Sequence, residues 1–258
     1  TAFKQDPRVE RAVSEVFGEI ERLEEYMEDA EPVKYAAIAF SNRSVDWGGR
    51  SRPEKIADSA RGFYYALTWA RLPVAYVSDT ELDRGYLEGY RVLVLADVQS
   101  MSDSAVKKVE SFVERGGGIL ATYLTSILDE KGAAREEPAL SELLGFEFRG
   151  LLEYPWSYLK ISREHSITRG FDRGQLVLWG DFDREFVDRR VPEELAWHSR
   201  VLALDGVEVL ANVVEPLGEY GSEYENGRSP PPAGSDLDSP AILARDLGGR
   251  IAYFTGQI

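Results

Sequence analysis

Residues Arg91 to Ser126, RVLVLADVQSMSDSAVKKVESFVERGGGILATYLTS, decide the reading of this chain. Arg91 to Ala96 is a short apolar run of strand type. Beyond Ser102, the apolar residues Val106, Val109, Phe112 and Val113 share one helical face, with charges opposite. Ser102 is placed to cap that helix, and Gly116, Gly117 and Gly118 end it where a left-handed backbone is needed. A second apolar strand, Ile119 to Tyr123, follows at once. Two strands joined through a helix run parallel, so the stretch predicts a parallel sheet covered on its faces. Ligands in such sheets bind at the carboxyl ends of the strands, which directs attention to Asp97 to Ser100 and Tyr123 to Ser126.

Outward from this unit the pattern repeats. Tyr35 to Phe40 predicts a first strand, Pro53 to Arg71 a helix, Pro73 to Val77 a second strand, and Ser78 to Thr80 a turn into a short helix. The order is that of a flavodoxin-like, doubly wound α/β fold with a mainly parallel sheet. After Tyr123 the strands become short and antiparallel in character: Leu151 to Trp156, Tyr158 to Ile161, Leu176 to Leu178, Arg200 to Leu204 and Val207 to Val214. Leu140, Leu143 and Leu144 fit a short helix capped by Gly145. Glu215 to Ser239, with its Pro230-Pro231-Pro232 run, reads as a long loop, and Ala241 to Arg245 with Ile251 to Phe254 as a closing hairpin. At the other end, Val9, Val13, Val16, Ile20, Leu23 and Met27 lie on one face of a long helix over Asp6 to Asp29, capped by Asp6 with Pro7 in its first turn.

The chain has 258 residues, 43% hydrophobic and 29% charged, so it has enough apolar material for a full core. Its net charge of −15 opposes binding to a phosphate backbone, and no apolar run is long enough to span a membrane. There is no cysteine, hence no disulfide, thiolate metal site or cysteine nucleophile. No signal-peptide pattern opens the chain, and a cytoplasmic location is expected. Thr1 at the start and Ile258 straight after a strand suggest a piece of a longer protein.

No catalytic motif stands out. His165 and His198 have no metal-ligand spacing and read as structural, so no metal and no cofactor is expected. Asp181, Asp183 and Glu185 alternate in a way that resembles a glycosidase carboxylate pair, but 45 acidic residues make such clusters common by chance. Thr125 and Ser126 lie where a nucleophile would sit, without an adjacent base. Trp47, beside Gly48 and Gly49 in the loop Ser41 to Arg52, is a candidate for stacking on a sugar. A ligand site at the strand ends would join Ser41, Trp47, Asp97, Tyr123 and Thr125 to His165.

Taken together, Arg91 to Gly132, LSELLGFEFRG, GVEVLANVVEP, the proline-rich loop and SPAILARDLGGRIAYFTGQI resemble the amidotransferase-like middle domain of family 42 glycoside hydrolases, the beta-galactosidase trimerisation domain. The resemblance spans about Val33 to Ile258. The helix before it, in residues 1–32, is similar to a segment connecting such a domain to an upstream barrel, and 32 residues cannot themselves hold a barrel. In class I glutamine amidotransferases the nucleophilic cysteine stands at the Tyr123 to Ser126 position, and here there is none. The resemblance therefore implies a non-catalytic domain that builds a homodimer or homotrimer. Its implied partners are the parent chain's barrel and a carbohydrate. Trehalose-utilisation-type proteins share the fold, including a turn similar to His165 to Gly170, and imply the alternative of a sugar site on the domain itself.

Overall fold

The computed structural model describes residues 6–31, 33–49, 53–154, 157–179, 198–217 and 232–257. The chain divides into two units, Thr1–Val33 and Lys34–Ile258. The first is the helix α1, Pro7–Met27. As its sequence predicts, Asp6 caps it by accepting a hydrogen bond from the Arg8 amide at 2.9 Å, and Pro7 occupies the first turn.

The second unit begins with β1 (Ala36–Phe40), α2 (Pro53–Trp69), β2 (Val74–Ser78), α3 (Asp79–Arg84), β3 (Val92–Leu95), α4 (Asp103–Glu114) and β4 (Gly118–Thr122). It continues with α5 (Ser141–Leu144), β5 (Phe146–Leu152), β6 (Ser157–Ile161), β7 (Leu176–Trp179), β8 (His198–Ala203), β9 (Glu208–Pro216), β10 (Ala233–Asp246) and β11 (Arg250–Phe254). One sheet has the order β2-β1-β3-β4-β11-β10-β9-β6-β7, and β5 pairs with β8 in a separate ribbon. The run β2-β1-β3-β4-β11 is parallel, and from β10 onward the pairing is antiparallel.

Alternation along the strands explains why both faces are covered. Ala37 and Ala39 of β1 enter the core with Val109, Phe112 and Val113 of α4, whereas Ile38 packs with Ala60 of α2, Val94 and Ala96 on the opposite face. Helix starts follow local chemistry. Ser78 and Glu81 form a capping box on α3, and Ser102 accepts from the Ala105 amide at 3.0 Å on α4. In the antiparallel half, Leu159, Ile161, Leu210, Val213 and Ile242 form a further apolar cluster.

Two segments differ from the sequence reading. The strand expected over Leu151 to Trp156 begins earlier, as β5 at Phe146, because Gly145 ends α5 with φ 88° and turns the chain directly into it. The loop expected up to Ser239 gives way to strand from Ala233: β10 pairs with β9 through register shifts, and its polar residues are held by Asp236. That carboxylate accepts from Asn212 Nδ2 at 3.3 Å and from the Asp238 amide at 3.0 Å, and it pairs with Lys160 at 3.2 Å. Side-chain bonds thus replace the apolar alternation that would have marked a strand. The closing hairpin is present, and its second strand, β11, also serves as the fifth parallel strand, with Ile251 opposite Ile119 of β4.

The glycines at the two turns are there for space. A Cβ on Gly249 would lie 2.0 Å from the Gly117 carbonyl oxygen, and one on Gly117 would lie 2.3 Å from the Phe112 ring. The β10–β11 turn therefore presses backbone to backbone on the turn between α4 and β4. Gly249→Ala is expected to lower unfolding free energy by about 3 kcal/mol. Gly62→Ala in α2, with open space around it, should raise it by up to about 1 kcal/mol. Denaturant titration of the two variants reads both signs.

Candidate functional site at the carboxyl edge of the sheet

The carboxyl ends of β3 and β4 bear the backbone features of a functional edge. Asp97, Tyr123 and Ser126, all non-glycine, have φ of 51°, 47° and 67°. Such conformations persist only where surrounding bonds hold them. Tyr123 occupies the sharp turn after β4. Its amide donates to the Phe254 carbonyl at 2.8 Å, and its own carbonyl accepts from Tyr253 Oη at 2.5 Å and Ser199 Oγ at 3.0 Å. β11 and β8 thus clamp the turn that follows β4.

Asp97 is fully buried. Its carboxylate accepts from Gln99 Nε2 at 3.1 Å to either oxygen and from Gln257 Nε2 at 3.1 Å, while its amide donates to Thr122 Oγ1 at 2.9 Å. Burial pushes the Asp97 carboxyl up to about 6, against the opposing pull of those donors. Gly48 leaves the room Gln99 occupies, since a Cβ there would stand 2.5 Å from Gln99 Oε1. Ser41 belongs to a buried hydroxyl chain: Ser44 Oγ donates to Ser41 Oγ at 2.8 Å and accepts from the Ser100 amide at 3.0 Å. Thr125 Oγ1 donates to the Thr122 carbonyl at 2.7 Å and lies 3.1 Å from the Leu95 carbonyl, tying the ends of β3 and β4 together.

Trp47, in a short π-helical turn over Ser44–Gly48, is 46% exposed and lies over Gly132, whose φ is 79°. A Cβ on Gly132 would come within 2.7 Å of the indole. The ring therefore packs on the Lys131 to Gly132 turn.

His165 is not brought to this group. It lies at the opposite end of the sheet, where an open cleft of about 1230 Å³ is lined by Arg91, Gly118 and Arg250 at the amino ends of β3, β4 and β11. Its Nδ1 accepts from the Ile167 amide at 3.2 Å. The six expected residues thus divide: Ser41, Asp97, Tyr123 and Thr125 form the buried edge, Trp47 covers a neighbouring turn, and His165 stands apart. Asp181, Asp183 and Glu185 lie outside the described residues.

The histidine at the carboxyl edge is His198. Its Nε2 lies 2.7 Å from Ser157 Oγ and its Nδ1 3.2 Å from Thr255 Oγ1. A hydroxyl on an imidazole is the geometry that activates a nucleophile. Here Ser157, His198 and Thr255 are all sealed from solvent, and burial pushes His198 down to about 3, leaving a weak base. The group works as a buried hydrogen-bonded link between β6, β8 and the end of β11. No spacing in the sequence marks it, because its members come from β6, β8 and the residue after β11, far apart in sequence. Among the described residues no three acidic or histidine side chains gather to hold a metal ion.

These pKa displacements have a measurable consequence. Asp97, raised above an unfolded carboxyl of about 4, contributes stability that is present below pH ~4 and lost as pH rises through about 6. Asp97→Asn removes that dependence. The difference in unfolding free energy between variant and wild type should therefore shift in the variant's favour by about 2 kcal/mol from pH 4 to pH 7. His198, with the opposite sign over an overlapping window, is common to both proteins and cancels in the difference. A difference independent of pH would contradict the buried-carboxyl assignment.

The beta-galactosidase trimerisation domain family matches residues 35–167. No curated protein matches the sequence. Among solved structures, a beta-galactosidase from Bacillus circulans sp. alkalophilus is 16% identical, with TM-score 0.65, over 98% of this chain and 33% of that one. Gan42B, a GH42 beta-galactosidase, is 17% identical, with TM-score 0.64, over 97% of this chain and 31% of that one. A thua-like protein from Bacteroides uniformis is 14% identical, with TM-score 0.55, over 88% of this chain and 84% of that one. These likenesses show the fold, a mixed α/β sheet shared with those beta-galactosidases and the thua-like protein. The chain spans about a third of the length of the beta-galactosidases it matches. With the family's motif covering half the sequence and its architecture covering nearly all of it, the chain belongs to the beta-galactosidase trimerisation domain family.

Proposed function

We propose that this chain is the non-catalytic assembly domain of a longer glycoside hydrolase that acts on β-galactosides, with α1 as the connector to an upstream catalytic barrel. One observation carries the reading. At the edge where an amidotransferase-like domain would perform chemistry, Asp97, Tyr123, Thr125 and Ser126 are buried, with their polar groups engaged by neighbouring side chains and backbone. Polar groups held by internal bonds fix loops in place and leave surfaces free for partner subunits. No described helix is long and apolar enough to cross a membrane. A cytoplasmic location is compatible with a chain that has no disulfide to form.

A second reading is favoured by Trp47, whose half-exposed indole lies beside the carboxyl edge and offers a face to a sugar ring. Under it the domain itself binds a carbohydrate at the strand ends, with the half-exposed Trp47 as the contacting residue and the buried Ser41 and Asp97 holding the loop behind it. Titration with galactose would then give a saturable fluorescence change that is lost in Trp47→Ala.

The assembly reading predicts that the full-length chain carrying this domain has, by light scattering, the mass of a dimer or trimer over a wide concentration range. A strict monomer across the series would contradict it.

A further inference from the structure

The strand β2 is the edge of the large sheet, with β1 as its only neighbour among the described strands. Beside it, α2 buries only Ile56, Ser59 and Ala60. Five rings run from this edge outward. Phe40 meets Tyr76 edge to face at 6.1 Å, Tyr76 stacks on Tyr64 at 5.4 Å, Tyr64 meets Tyr65 at 6.2 Å, and Tyr65 stacks on Trp69 at 6.2 Å. The outer members are open to solvent: Trp69 is 82% exposed, Tyr65 50% and Tyr76 44%. Each ring is held by the next, so covering them would cost little side-chain entropy.

Charge identifies what covers them. The chain has 45 acidic residues and a net charge of −15, so two copies repel wherever their acidic surfaces meet. Between Asp58 and Asp79, from Ser59 to Ser78, there is no Asp or Glu, the longest such run in the sequence. It contains α2's outer turns and all of β2, the elements that carry four of the five rings. The charges within it are Arg61 and Arg71, and Arg61 pairs with Asp58 at 2.7 Å. A centre free of carboxylates, rich in aromatic rings and carrying arginine, is the composition of a protein–protein interface core, with Trp and Tyr as its anchors. The edge of β2 adds unpaired backbone donors and acceptors along the same side.

We propose that the aromatic face of α2 and β2, centred on Trp69 and Tyr65, is the surface through which this chain associates with a second copy of itself. This rests on the assembly reading above and specifies which residues carry it. The acid-free run gives a strongly acidic chain a stretch where self-contact brings no carboxylates of its own together, and the ring stack there supplies apolar area to bury.

The test uses the full-length chain. Trp69→Glu and, separately, Tyr65→Glu place an acidic group in the face at solvent-exposed positions, so folding should be retained, which circular dichroism and thermal unfolding check. Light scattering over a concentration series should show self-association weakened by about 30-fold or more in each variant. In parallel, a photo-crosslinking amino acid at position 69 should yield a crosslinked product with twice the protomer mass. If the wild type is oligomeric and both variants keep its mass, the surface is wrong while the assembly reading stands. If the wild type is itself a monomer at all concentrations, the assembly reading fails and takes this proposal with it. A crosslink formed within one chain, showing that another segment of the same polypeptide covers the rings, also overturns it.

Discussion

The turn after β4 depends on the carbonyl of Tyr123. With φ at 47°, the residue is held in a conformation that non-glycine residues rarely adopt. What holds it there is a pair of hydroxyls, Tyr253 Oη and Ser199 Oγ, which converge on that single oxygen from β11 and β8. Tyr253 is itself fully buried and stacks on Phe146 at 4.5 Å, which ties the β5–β8 ribbon to the main sheet. Removing the Tyr253 hydroxyl would leave a buried carbonyl short of a donor at the junction of three strands. Because these bonds over-determine the conformation, the carboxyl edge remains sharply turned.

The loops around this edge are fixed by the same economy of means. Arg43 forks onto Asp83, which also accepts from Ser102 Oγ at 2.5 Å, so the loop after β1, the helix α3 and the cap of α4 share one carboxylate. Burial alone would raise Asp83, but Arg43 and Ser102 bring it below the ordinary carboxyl range. Arg135 donates to the carbonyls of Leu128 at 2.6 Å and Met101 at 3.1 Å, joining the irregular segments that follow β4 and β3.

Much of the parallel half is legible in the sequence because local signals there agree with the tertiary result. Asp6 with Pro7, Ser102, Gly116 and Gly145 each mark a helix end that the structure reproduces, and the unbroken apolar run Tyr35 to Phe40 is a strand that the structure covers on both faces. The antiparallel half is less legible. β10 from Ala233 to Ser239 is held by side-chain bonds to Asp236, and polar residues in such a segment look like loop until their partners on β9 and β6 are known. The candidate site divides for a similar reason. Ser41, Asp97, Tyr123 and Thr125 share the carboxyl edge because strand direction places them there. His165 follows β6, which belongs to the antiparallel half, and strand direction alone gives no address for it. The histidine that reaches the carboxyl edge, His198, does so through strand pairings remote in sequence.

The aromatic face and the sealed edge make opposite demands on exchange with solvent, and hydrogen exchange of the full-length chain at low and high concentration reads both together. Amides from 122 to 126 should be strongly protected at every concentration, because their protection is built into the fold. Amides from 59 to 78 should become more protected as concentration rises. Rapid exchange at 122 to 126, or protection at 59 to 78 that ignores concentration, would contradict the picture of a sealed edge and a self-associating aromatic face.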